Sequence, residues 1–151
     1  MLLDQFHMLR EIEPPHGLSA ADLFSAVEHL VNAVRILEEC RIAMEEGLFD
    51  GSLARKMEES WNEVNLCRVH TEEILFIEET LIPVMGEIND ARSMMESLVA
   101  WKTGMTRQAF FSIMDCLSNA LAGIRPCIEE LSSWERSGAA EDSKIEGAVN
   151  R

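Results

Sequence analysis

The sequence has no stretch of about 18 apolar residues, the length a helix needs to span a bilayer, which excludes a transmembrane helix. Its opening, Met-Leu-Leu-Asp-Gln-Phe-His, has neither the basic region nor the apolar run of a secretory signal. The four cysteines, Cys40, Cys67, Cys116 and Cys127, form no Cys-x-x-Cys pair. Each falls inside a helical pattern, where a free cysteine behaves as a small buried hydrophobe. Together these absences predict a reducing, cytoplasmic setting. Basic residues are scarce as well, with 13 Lys and Arg against 27 Asp and Glu, for a net charge of −14. Such a field repels phosphate, excluding direct binding to nucleic acid or to an anionic membrane and leaving basic partners open.

Catalytic signatures are missing too. There is no Gly-x-Ser-x-Gly elbow and no glycine-rich phosphate loop. Di-iron carboxylate bundles need two Glu-x-x-His pairs, and the single one here, Glu13 to His16, is interrupted by Pro14 and Pro15. His29 lies in Val27-Glu28-His29-Leu30-Val31-Asn32, without the nearby Lys or Gly that would help a histidine accept a phosphoryl group. A protein without catalytic activity or cofactor is the expectation.

What is present is helical periodicity. The 47% apolar content and the length of 151 residues suit one domain with a real core. Nine Met, six Phe and three Trp suit packed helices, and Met also suits adaptable binding surfaces. No segment alternates in the manner of a strand, and there is no internal repeat. The predicted fold is all-α: an antiparallel bundle of three to four long helices with a kink or break near Pro83. Residues 1–18 are expected to carry a short amphipathic helix over 2–12 and a Pro-Pro linker, 19–136 the bundle, and 137–151 a flexible polar tail.

Within the bundle, Ser19 with Asp22 predicts a capped start to a helix over about 20–46. Leu23, Val27, Leu30, Val34 and Leu37 form its stripe, widened by Phe24 and Val31, and Gly47 ends it. Phe49-Asp50-Gly51-Ser52 is the expected turn. From Leu53 a second pattern shows Met57, Trp61 and Val64 and slips in phase near Cys67. It then alternates spacings of 3 and 4 through His70, Ile74, Ile77, Leu81, Val84, Ile88, Ala91, Met95 and Leu98. That continuity through Pro83 favours one kinked helix to Lys102-Thr103-Gly104, although Pro83 and Gly86 together would suit a break. Thr106 caps the last helix, whose predicted seam is Phe110, Met114, Leu117, Leu121, Ile124, Ile128 and Leu131. A helix over 53–102 would be about 75 Å long and would outrun both neighbours, which predicts a homodimer.

Two constellations stand out. Glu63, Cys67 and His70 share one helical stripe, and each can ligate zinc, with His29 at similar height on the neighbouring helix as a fourth candidate. The helical wheel places His29 about 160° from a face centred on Val27, toward water. Beside the metal expectation stands a bland one, with His70 satisfied by a neighbouring acid and Cys67 as core filling. The second constellation is electrostatic. Residues 58–79 hold seven acids (Glu58, Glu59, Glu63, Glu72, Glu73, Glu78 and Glu79) against Arg68 alone, seven negative charges less one positive, or −6. Adjacent helix positions point about 100° apart, so these are not paired catalytic carboxylates. They predict a docking surface for a partner protein, basic in character, on Glu72, Glu73, Glu78 and Glu79. The leading expectation is therefore an adaptor, chaperone-like factor or inhibitor. The alternatives are a metal-binding bundle and an acidic mimic that blocks a nucleic-acid-binding protein.

Overall fold

The computed structural model describes residues 18–48, 51–101 and 106–149, with side chains described except at 98–101 and 137–149. The predicted helix over 2–12, the Phe49-Asp50 half of the first turn and Lys102-Thr103-Gly104 lie outside the described residues. The described residues form four helices in order: α1 (Ala20–Glu45), α2 (Gly51–His70), α3 (Leu75–Trp101) and α4 (Arg107–Val149). No strand occurs among the described residues. The first helix packs on α2 and α4, and α3 packs on the same two, so the four close into a ring around one core. Short connections make sequential neighbours antiparallel.

Local chemistry sets most helix ends. The Ser19 hydroxyl accepts from the Asp22 backbone N–H at 3.1 Å, while the Ser19 backbone N–H donates to the Asp22 carboxylate at 3.2 Å, a reciprocal capping box. At the other end of α1, Gly47 takes φ +80°. Its N–H donates to the Met44 carbonyl, and the Leu48 N–H to the Ala43 carbonyl, the paired bonds of a Schellman stop. The Thr106 hydroxyl accepts from the Ala109 N–H at 3.1 Å and caps α4. Gly51 and Ser52, expected in the turn, already belong to α2.

The expected 50-residue helix is two helices, and the break is not at Pro83. It falls at 71–74, where the Thr71 N–H and hydroxyl both donate to the Cys67 carbonyl, at 3.0 and 2.8 Å. The chain then restarts, with the Ile74 carbonyl accepting the first bond of α3 from Glu78. Electrostatics favour this place. Arg68 and His70 sit in the last turn of α2, whereas Glu72 and Glu73 precede α3 and Glu78 lies in its first turn. Acids there stabilise a helix start and would destabilise the uninterrupted helix end before them. Pro83 is inside α3 and exposed, so the carbonyl its missing N–H leaves unpaired can meet water. The break also removes the ground for the homodimer, because one chain already supplies a four-helix cross-section.

The core lines are centred one residue away from the predicted stripes in α1 and α4. Leu23, Ala26, Leu30, Ala33, Leu37, Cys40 and Met44 are buried in α1, whereas Val27 and Val34 only flank the core. Phe24 and Val31 do not widen the stripe but face solvent, 52% and 50% exposed. In α4 the buried line is Ile113, Leu117, Ala120, Ile124, Cys127, Leu131 and Trp134, with Phe110, Met114 and Ile128 partly buried beside it and Leu121 buried. The third helix follows its predicted line from Ile77 to Met95, and Ile74, on the same line, is buried just before it. The fourth helix continues to Val149, through residues assigned from sequence to a flexible tail. Ala139, Ala140, Glu141 and Lys144 are good helix formers there, and no proline intervenes.

Candidate functional site

The α1–α2 pairing assembles a polar cluster from part of the predicted metal set. The Nδ1 of His29 lies 2.6 Å from Oε2 of Glu63, and both side chains are 25% exposed. The His29 and His70 rings stack at 5.7 Å between centroids and 15° between planes. Nδ1 of His70 stands 4.0 Å from Oδ1 of Asp22, the capping residue of α1. Acid, imidazole, imidazole and acid thus run in a line across the two helices. Cys67 is not part of it. Its side chain is wholly buried, and burial pushes the thiol up to about 12, with Cys127 nearby adding to the rise. Among the described residues, no three His, Cys, Asp or Glu side chains are grouped to hold a metal ion.

A wheel centred on Val27 turns His29 toward water. The true centre of α1 is marked by Ala26, Leu30 and Ala33, and His29 lies about 70° from that line at 100° per residue, on the flank that meets Glu63.

The acidic segment divides into neutralised and free charge. Arg68 donates to Glu78 at 3.2 Å and to the Asn65 side chain through Nε and Nη2, both 3.2 Å. The sole Lys or Arg of the segment is thereby engaged, and Glu63 is engaged by His29. Glu58, Glu59, Glu72, Glu73 and Glu79 are exposed, and none of them has a salt bridge among the described residues. Apolar side chains are exposed in the same part of the chain: Leu66 and Val69 near the end of α2, Leu75 and Ile82 near the start of α3. Leu75, Glu79 and Ile82 are spaced 4 and 3, so they share one helical face. Leu75 is 68% exposed, the most of any large apolar residue described.

Two concavities adjoin this end. A shallow one of about 200 Å³ is lined by Leu18, Asp22, Val69, His70, Glu72 and Glu73. A larger groove, about 330 Å³, lies between α3 and α4, with Phe76, Thr80, Pro126, Glu129, Glu130 and Trp134 among its walls. The larger groove has no signature in helical spacing, because its walls come from two separate patterns and Trp134 lies beyond the predicted seam.

None of the thiols is set up as a nucleophile. All four are free, and burial raises Cys40 to about 12 and Cys116 and Cys127 to about 11. Comparison with protein-family models, curated proteins and solved structures finds no match to the chain. Fold and surface define a class, an acidic antiparallel four-helix bundle. Among the described residues, no helix is long and apolar enough to cross a membrane.

Proposed function

We propose that the chain is a non-enzymatic binding protein that docks a basic partner protein on the end of the bundle formed by the α2–α3 turn. One observation carries this reading. The single Lys or Arg of the acidic segment is held by Glu78, leaving Glu72, Glu73 and Glu79 exposed among Leu66, Val69, Leu75 and Ile82. Uncompensated charge steers a basic partner and sets its orientation. Exposed apolar side chains between the charges supply surface whose desolvation holds the complex. Neither feature is needed by the fold, whose core closes behind them. Four free thiols, all raised by burial, suit a reducing compartment such as the cytoplasm.

The test is comparative capture from host extract by the wild-type chain and by Glu72→Gln/Glu73→Gln/Glu79→Gln, leaving Glu78 with Arg68. A basic protein retained by the first and lost by the second supports the docking end. Recovery of the same proteins by both would refute it.

A further inference from the structure

Apolar and charged residues share one line along the outer side of α1. Phe24, Val31 and Ile42 fall within about 20° of one another around the helix, at 100° per residue. Glu28 and Arg35 lie within about 40° of Phe24 and Ile42, and the whole line is on the side opposite Ala26, Leu30 and Ala33. The first helix packs against α2 and α4, yet each of the three apolar side chains on this line is about half exposed. The charges nearby are largely balanced. Glu38 receives Arg41 and Arg125, and Glu39 receives Arg35 and Lys56. Glu28 has no ion pair among the described residues. Arg35 gives one nitrogen, Nη1, to Glu39 at 3.3 Å, and a guanidinium with five donors can serve a second carboxylate as well.

We infer that this line is the contact of a reversible homodimer, in which two copies of α1 lie antiparallel about a two-fold axis. The ground is the surface of α1 and is independent of helix length. A two-fold contact must be self-complementary, residue i meeting residue j and j meeting i. Phe24 set on the partner's Ile42 repeats at the other end of the contact and brings Val31 against the partner's Arg35. The partner's Arg35 then stands three residues, about 4.5 Å along the axis, from Glu28, within reach of its long side chain. The ion pair forms twice, once on each side of the axis. Glu28 comes level with the partner's Glu38, a carboxylate already held by two arginines. Charge selects the occupant. The apolar residues at the α2–α3 end stand among unpaired acids, which repel an identical acidic chain, whereas the α1 line carries one acid and one base in an order that matches its own reverse. The contact is one helix wide and about 27 Å long, smaller than a permanent dimer interface, so association is weak and reversible.

Sedimentation of the full chain from micromolar to near-millimolar concentration tests the contact without any other protein. The average mass should climb from that of one chain toward twice that value. Val31→Glu, at an exposed position, should weaken association about tenfold or more by placing a charge in the apolar contact. Glu28→Arg and Arg35→Glu should each weaken it as well, although one lowers the net negative charge and the other raises it. Equal parts of these two variants should associate with each other, because every cross-pair is then Arg with Glu. Leu75→Glu, at the docking end, should leave self-association unchanged, so failure of this contact and failure of the docking end give different results. A mass that stays at one chain throughout, full association in Val31→Glu, or a mixture of the two charge variants that does not associate would overturn the inference.

Discussion

The imidazole of His29 meets the carboxylate of Glu63 at 2.6 Å, tying α1 to α2 through a contact that is three-quarters shielded from solvent. A hydrogen bond of this kind contributes on the order of 1 kcal/mol, because solvent still reaches both groups. Glu63→Ala and His29→Ala should each destabilise the fold by about that amount, and the double variant should cost clearly less than their sum. Urea unfolding of the three variants measures the coupling, and strict additivity would mean the contact is not made in solution. His70→Leu should leave the melting temperature nearly unchanged, since His70 stands 4.0 Å from its acid. A chelator should likewise have no effect on melting. Chelator-sensitive melting would reinstate metal binding by Glu63, Cys67 and His70.

Two glycines separate packing from helix propensity. A methyl group at Gly123 would stand 2.5 Å from Cγ2 of Val84, a buried β-branched side chain with little freedom to turn away. Gly123→Ala should be destabilising, because overpacking costs about 1–3 kcal/mol and helix propensity returns at most about 1. At Gly86 nothing lies within 4 Å of the added atom, so Gly86→Ala should stabilise by roughly 0.5–1 kcal/mol. Thermal melts of the pair should move in opposite directions.

What the sequence yielded, and what it concealed, follows from how helical stripes are recognised. Large apolar side chains from Ile77 to Met95 mark the core line of α3, so that line was read correctly. In α1 and α4 the centre of the core line holds Ala26, Ala33, Cys40, Ala120 and Cys127, small residues that weigh little in a hydrophobic pattern, and the reading drifted toward the larger neighbours Val27, Val34, Met114 and Ile128. That drift also hid the meeting of His29 with Glu63. The break at 71–74 was concealed because Thr71 and Ile74 stay buried and in phase, with no glycine or proline to mark it. Of the acids proposed for docking, Glu72, Glu73 and Glu79 are exposed as expected, whereas Glu78 is bound to Arg68. An ion pair spanning ten residues across a turn has no signature in helical spacing.

The start of α1 should respond to acid. Asp22 accepts from the backbone N–H and hydroxyl of Ser19, which lowers its pKa below the ordinary 3.8, and His70 adds a smaller pull in the same direction. With the folded value depressed, the carboxylate stabilises the fold above pH 3.8 and loses that effect as pH falls through the folded value. Asp22→Ala should therefore be less stable than wild type at neutral pH, by a margin that holds down to about pH 5 and closes in stronger acid. Stability curves of the two proteins against pH would show this, and a gap that widens in acid would contradict it.

The thiols should be protected by folding. Cys40 and Cys67 are raised to about 12, and Cys116 and Cys127 to about 11, so little thiolate exists at neutral pH. Ellman's reagent should react slowly with the native protein and promptly with all four cysteines in denaturant. Cys116, the only one of the four not fully buried, should lead the native reaction. A fast native reaction at Cys67 would mean that the α2–α3 end opens readily.

The central claim is docking of a basic partner on Glu72, Glu73 and Glu79, and its most direct test is the rate of association with the captured partner, measured at low and high salt. For the wild-type chain, association should be fast at low salt and slow steeply as salt rises, because screening removes long-range steering. In Glu72→Gln/Glu73→Gln/Glu79→Gln it should already be slow at low salt and nearly independent of ionic strength, with an unchanged melting temperature. Equal association rates for the two proteins at every salt concentration would contradict the claim.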